Sequence, residues 1–255
     1  MISETLNPDA KSFTWPNARA CLDWCAEAYG GPATLASSLT GAQMIVRELS
    51  DHIVVAFRGS ESAEDYQQDA KFEFTDLIIP PDGTPAKVHK GFLEDFDSLN
   101  DQLIQYVKGL STKPIFITGH SLGGGQAILC GLEFLRVGFR LAGIYTFGQP
   151  RVGNGIFARC YDIASWGMIG ALRDITWRVV NENDIVARLP GALLGYRHCG
   201  NEIFLPVEGG YWVNPPAWRR GWSNLLGFLS AWRHGGDVLI TEHHLLDYQE
   251  RMAGL

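Results

Sequence analysis

The 255-residue chain is short of several things, and each shortage removes a class of answer. No run of about 18 apolar residues occurs, so no segment reads as a membrane-spanning helix. There is no basic excess. Twenty-one Lys and Arg stand against 28 Asp and Glu, and the resulting charge of −7 argues against nucleic acid as a main partner. The five cysteines (Cys21, Cys25, Cys130, Cys160 and Cys199) are odd in number and scattered. They read as reduced core thiols, with Cys21 and Cys25 one helical turn apart on an apolar face. No cysteine or histidine spacing suits a zinc site, so no metal is implied. The first ten residues lack a basic stretch followed by an apolar one, so no signal peptide is visible and the literal expectation is a cytoplasmic protein. Internal repeats and low-complexity tracts are absent as well.

What is present suits one α/β domain over residues 1–255. With 46% hydrophobic residues the chain can bury a sizeable core. Pro16 stands at the start of a helix over 17–29, which Gly30-Gly31-Pro32 stops. Strands follow over 43–49 and 53–57, joined through Ser50-Asp51-His52. Phe92, Phe96, Leu99, Leu103 and Val107 form one face of a helix over roughly 91–109. Further strands are expected over 115–118, 142–147, 175–180 and 202–205, with helices over 126–137, 155–165 and 242–252. Strands alternating with helices imply a mainly parallel central sheet with helices on both faces. Two stretches stand apart. Residues 61–87 form a long connection beside a sheet strand without clear regular structure, strongly polar over 61–70, more apolar over 72–80 and broken by the turn-rich Pro80-Pro81-Asp82-Gly83-Thr84-Pro85, and are a candidate lid. Residues 206–236 hold Trp212, Trp218, Trp222 and Trp232 and include an amphipathic pattern of Trp222, Leu225, Leu226, Leu229 and Trp232. This insertion either covers a pocket and meets lipid or packs its tryptophans on the protein.

The stretch from Ile115 to Leu129 carries the sharpest chemistry. A β-branched run meets Gly119-His120-Ser121-Leu122-Gly123, and a buried helix follows. A serine on such a strand-to-helix turn is lifted out of the sheet, close to helix N–H groups that favour an oxyanion. A serine nucleophile needs a base to take its proton and an acid to orient that base, in chain order Ser, Asp/Glu, His. Asp184 follows the 175–180 strand and falls at the same sheet end as Ser121, whereas Asp174 precedes that strand and Glu182 is the local rival. For the base, His198, His234, His243 and His244 all lie downstream. His243 is favoured and His244 is its alternative, since only one of two adjacent residues can point inward. The two oxyanion donors are expected from Leu122 and from Ser60, which follows the 53–57 strand. His120 is expected to brace the turn by hydrogen bonds, and His89 to order a helix start.

Five motifs, in order, extend this reading: Val54-Val-Ala-Phe-Arg-Gly-Ser60, Val88-His-Lys-Gly-Phe92, Ile117-Thr-Gly-His-Ser-Leu-Gly-Gly124, Thr146-Phe-Gly-Gln-Pro-Arg-Val-Gly-Asn154 and Arg178-Val-Val-Asn-Glu-Asn-Asp184. With them the chain resembles the class 3, fungal-lipase-like family of α/β-hydrolases. The resemblance implies an α/β-hydrolase fold, Ser121 as nucleophile, Asp184 as acid and Ser60 with Leu122 as oxyanion hole. It implies His243 as base, because Glu242-His243-His244-Leu245-Leu246-Asp247-Tyr248 fits the family's C-terminal pattern with His244 in a serine position. It further implies hydrolysis of a carboxylic ester or lipid, at a lipid–water interface and without a cofactor, and leans towards secretion. Two departures stand out. Ile185 replaces a proline common after the acid, and Tyr66 and Ala70 replace a lid Trp and Leu, which leaves a more polar lid. Phospholipase A1, feruloyl-type esterase, acyltransferase and a non-catalytic lipid-binding relative are the competing readings.

Overall fold

The computed structural model describes residues 6–59, 72–79, 83–165, 170–216, 218–219 and 243–255. Ser60, His234, Tyr66 and Ala70, most of the 206–236 insertion and part of the 61–87 connection lie outside the described residues.

Elementary chain chemistry sets the main elements. Helix α1 (Trp15–Gly30) starts where the Thr14 side chain accepts the N–H of Asn17, with proline in the first turn. Short β1 (Leu35–Ala36) leads to β2 (Gln43–Glu48) and β3 (Ile53–Phe57). β4 (Phe74–Ile79) and β5 (Thr84–His89) precede helix α2 (Lys90–Lys108), whose cap is the His89 ring accepting from the N–H of Phe92. β6 (Ile115–His120) runs into helix α3 (Leu122–Val137), which ends at Gly138 in the left-handed region. β7 (Leu141–Phe147), β8 (Gly153–Asn154), α4 (Gly155–Ile163), α5 (Leu172–Ile175) and β9 (Thr176–Asn181) follow. Then come β10 (Tyr196–Arg197), β11 (Asn201–Leu205), β12 (Trp212–Val213) and helix α6 (Leu245–Ala253).

The larger sheet has the order β1-β2-β3-β6-β7-β9-β11-β12. From β3 to β11 every neighbouring pair is parallel, and antiparallel pairs close both edges. Side chains alternate between the two faces of a strand, so each strand feeds two cores. Val55, Phe57, Ile115, Ile117 and Ile144 pack with Phe92, Leu99, Leu103 and Phe134 from α2 and α3. Val54, Ala56, Phe116, Tyr145 and Val179 pack on the other face with Ala18, Cys21, Leu22 and Cys25 of α1 and with Tyr248 and Met252 of α6. This is the expected layering of a mainly parallel sheet between helices. All five cysteines are free thiols, and all but Cys160 are buried. No helix among the described residues is long and apolar enough to cross a membrane.

Two readings change. The 61–87 connection is not irregular where it is described. β4 pairs with β5 from Phe74↔His89 to Ile79↔Thr84, and β5 meets β8 at Val88↔Gly153, giving a second sheet of order β10-β8-β5-β4. Pro85 had spoken against a strand. It is accommodated because β8 touches β5 only at its far end, so the proline needs no ladder bond on that side. The second change is at α3, which begins at Leu122 and takes in the glycines read as turn. These glycines disfavour helix by themselves, and tertiary packing overrides that preference. A methyl on Gly119 would overlap the carbonyl of Gly123, and one on Gly123 would overlap the carbonyl of Phe57. We therefore expect Gly123→Ala to cost about 2–4 kcal/mol of stability. Urea unfolding followed by circular dichroism measures it, and an unchanged midpoint would contradict the close-approach argument.

Candidate active site

The site begins with one strained residue. Ser121 adopts φ 57° and ψ −129°, between the end of β6 and the start of α3. A non-glycine residue there stores about 1–3 kcal/mol. The surroundings hold it: its N–H donates to the carbonyl of Phe147 on β7 at 2.9 Å, and its own carbonyl accepts from Gly124 at 3.0 Å. The turn sets Oγ at the first turn of α3, beside N–H groups that have no intrahelical partner. Leu122, the expected donor, is the first residue of that helix.

Asp184 and His243 meet this serine from later loops. His243 Nε2 lies 2.8 Å from Ser121 Oγ. Its Nδ1 lies 3.0 and 2.9 Å from the two carboxylate oxygens of Asp184. A carboxylate only accepts, so Nδ1 carries the proton and Nε2 is left as the acceptor facing the serine hydroxyl. All three residues are buried, Asp184 completely. Gly148, at φ 58°, makes room for the pair: a methyl there would stand 2.6 Å from Asp184 Oδ2 and 2.8 Å from His243 Nδ1.

The alternatives fall elsewhere. His244 caps α6 and faces solvent. His198 Nε2 bonds the carbonyl of Ala187 at 2.8 Å. Glu182 accepts from the N–H of Val207 at 2.6 Å. Asp174 bonds the N–H of Ala171, ahead of β9 and at the opposite sheet end.

Further residues support the arrangement. The Tyr248 hydroxyl donates to Asp184 Oδ2 at 2.6 Å and accepts the N–H of Asn181 at 3.1 Å. No role for Tyr248 had been read from the sequence, although it stands five residues after His243, within the first two turns of α6. The backbone N–H groups of Val186 and Ala187 donate to Asp184 Oδ1 at 2.8 and 3.3 Å. Ile185 replaces a proline without disturbing these bonds, since it contributes neither. His120 turns away from Oγ, as expected. Its Nε2 meets the carbonyl of His243 at 2.8 Å, and its Nδ1 meets the hydroxyl of Tyr29 at 3.0 Å. A carbonyl only accepts, so Nε2 bears the proton and Nδ1 accepts from Tyr29. Burial, followed by the neighbouring His243, pushes His120 down to about 3 and keeps it neutral.

A nucleophile-ready serine on a strand-to-helix turn, with a histidine and a carboxylate on loops at the carboxyl ends of a parallel sheet, defines an α/β-hydrolase. The model of the family described as Lipase (class 3) matches residues 54–194, and the chain belongs to that family. It is 35% identical to the lipase of Rhizomucor miehei over 175 residues, 65% of this chain and 45% of that one. It is 31% identical over 183 residues to the secreted mono- and diacylglycerol lipase 1 of Fusarium solani, 68% of this chain and 51% of that one. A solved triacylglycerol lipase, described as having a serine protease triad as its catalytic centre, matches with TM-score 0.55 and 32% identity. That match covers 67% of this chain and 64% of the other. The chain spans about half the length of the curated relatives it matches.

Two tests follow from this geometry. Tyr248→Phe leaves a buried carboxylate and a backbone N–H each short of a partner, and should cost about 1–3 kcal/mol in urea unfolding. A loss under a few tenths would remove Tyr248 from the network. His120 has a folded pKa below its unfolded value, so its stabilising effect is complete above about 6.5 and declines as pH falls towards about 3. Wild type should therefore lose more stability than His120→Gln over that window, by at most about 1.4 kcal/mol per pH unit. Parallel unfolding curves at each pH would contradict a buried neutral His120.

Proposed function

We propose that the protein is a carboxylic ester hydrolase of the triacylglycerol lipase type, with Ser121, His243 and Asp184 as its catalytic triad. The observation that carries this reading is the unbroken line from Ser121 Oγ through His243 to the Asp184 carboxylate, at 2.8 and 2.9 Å. His243 Nε2 takes the hydroxyl proton as Oγ attacks the ester carbonyl. Asp184 stabilises the resulting imidazolium and holds its orientation. The backbone N–H of Leu122 and a donor from Ser60 receive the oxyanion, each contributing about 3–4 kcal/mol. The imidazolium gives its proton to the departing alcohol. His243 then activates water to cleave the acyl-enzyme and free Ser121. This sequence needs neither metal nor organic cofactor.

The substrate is a lipid ester met at a lipid–water interface. Leu193 and Leu194 support this: they are exposed on the connection after β9, the connection that carries Asp184. Partial glycerides are the second substrate class, supported by the mono- and diacylglycerol lipase names among the relatives. The chain forms one catalytic domain, with a lid in the 61–87 region and a tryptophan-rich insertion over 206–236 in which Trp212 stacks on Phe204 at 5.5 Å and Trp218 is exposed. The cytoplasmic expectation finds no support among these relatives, several of which are named as secreted, and secretion is the location we propose.

Ser121→Ala should lower hydrolysis of p-nitrophenyl butyrate by roughly 10⁴-fold or more with an unchanged thermal midpoint. Wild type, but not the variant, should be labelled by a serine-reactive organophosphate. Substantial activity in the variant would overturn the assignment.

A further inference from the structure

The hydroxyl of Tyr29, on the last turn of α1, stands where three parts of the site meet, and no step of the reaction uses it. The β2–β3 ladder holds the end of β3 as far as Arg58, whose N–H donates to the Gln43 carbonyl at 3.0 Å. The next amide, the N–H of Gly59, donates instead to the Tyr29 hydroxyl. Gly59 immediately precedes Ser60 in the chain. The covalent root of the second oxyanion donor is thus held by a side chain from another element. The packing there is close. A methyl on Gly59 would overlap both the Tyr29 hydroxyl and the His120 carbonyl, and would come within 3.2 Å of Ser121 Cβ.

The same hydroxyl reaches the base. It donates to His120 Nδ1 at 3.0 Å, and His120 Nε2 donates to the carbonyl of His243 at 2.8 Å. The two imidazoles also stack, with ring centroids 4.7 Å apart. Burial holds the Tyr29 phenol well above its ordinary range, so the hydroxyl keeps the proton it donates. Without that hydroxyl the Gly59 N–H loses its acceptor and His120 Nδ1 its donor. The His120 proton could then move to Nδ1, which would turn the Nε2 lone pair on the His243 carbonyl. Both losses displace groups that act as charge develops, not as substrate binds.

We propose that Tyr29 is a positioning residue for this reaction, its one hydroxyl setting the oxyanion loop after β3 against the base. The proposal rests on the ester-hydrolase reading above. A role of this kind belongs to the transition state, so it separates kcat from KM.

Tyr29→Phe keeps the ring and removes the hydroxyl. Thr118→Val removes a hydroxyl from the same contact of α1 with β6 and reports what a purely structural loss does. With p-nitrophenyl butyrate, Tyr29→Phe should lower kcat by about tenfold or more with KM unchanged within about twofold. Thr118→Val should leave both near wild type. An octyl trifluoromethyl ketone gives a second readout. Ser121 Oγ adds to its carbonyl carbon, His243 takes the hydroxyl proton, and the carbonyl oxygen becomes a standing oxyanion. Its inhibition constant should weaken in Tyr29→Phe by the same factor as kcat. Should Tyr29→Phe fail to fold, Tyr29→Leu is measured in its place. An unchanged kcat, a raised KM with kcat intact, or an equal loss in Thr118→Val overturns the positioning role while leaving the hydrolase reading intact. Failure of wild type to hydrolyse the ester and to bind the ketone overturns the hydrolase reading, and this role with it.

Discussion

A carboxylate sealed from water must be ringed by donors, and much of the carboxyl end of this fold is arranged around one such group. Asp184 is completely buried, yet it accepts from the N–H groups of Val186 and Ala187, from His243 and from Tyr248. Burying an ionised group without such partners would cost far more than a marginally stable domain can tolerate. The donors come from distant parts of the chain. Two belong to the loop after β9, one precedes α6, and one lies on α6 itself. Satisfying the charge therefore closes the C-terminal helix onto the sheet, and Arg19 of α1 adds a bond to the carbonyl of Met252 at 3.1 Å. The same ring orients the His243 imidazole. Stability and chemistry make the same demand at this point.

The second constraint is steric. Ser121 can hold its strained backbone only if β6 and α3 close tightly on either side of it. That closeness excludes side chains at Gly119 and Gly123, where a methyl would strike backbone on both counts. Backbone cannot shift as a flexible side chain can, so the two glycines and the strained serine stand or fall together. Gly148 repeats the logic under the Asp184–His243 pair. Three glycines in two separate motifs thus keep space free for one hydrogen-bonded line.

Much of this was legible in the sequence where local chemistry and tertiary demand agree. The strands of the large sheet are continuous apolar runs because both faces are buried, and α2 shows its apolar stripe because only one face is. Ser121, Asp184 and His243 could be placed because each follows a sheet strand or precedes a helix, at one end of the fold. Legibility failed where the two levels disagree. Gly123 to Gly125 read as a turn and are helix, since close packing against Phe57, Gln149 and Phe92 outweighs their propensity. Pro80-Pro81-Asp82-Gly83-Thr84-Pro85 reads as a break, yet its last two residues open a strand, since that proline faces no partner beyond β4. Tyr248 stood in the quoted C-terminal motif without a role, because one polar atom on an otherwise apolar helix face has no periodic signature. The hydroxyl that matters there is visible only once α6 is docked.

His120 shows why the residue before the nucleophile is so constrained. Along β6 side chains alternate, so Thr118 and His120 face α1. On that helix Cys21, Cys25 and Tyr29 recur every four residues and form one stripe along the strand. The Thr118 hydroxyl meets the Cys21 carbonyl at 3.2 Å and the Cys25 sulfur at 3.2 Å, and Tyr29 continues the row to His120. The cysteines, with thiols that burial raises well above their ordinary range, act as small spacers that set how closely α1 lies on β6. That spacing brings the Tyr29 hydroxyl to both His120 and the backbone N–H of Gly59. His120 then passes the connection to the carbonyl of His243. One hydrogen-bonded chain therefore joins the loop after β3, where the oxyanion is expected, to the backbone of the base. It holds only while His120 is neutral with its proton on Nε2, since a charged ring would have no acceptor for Tyr29. The depressed pKa of His120 is thus a condition for keeping the two halves of the site in register.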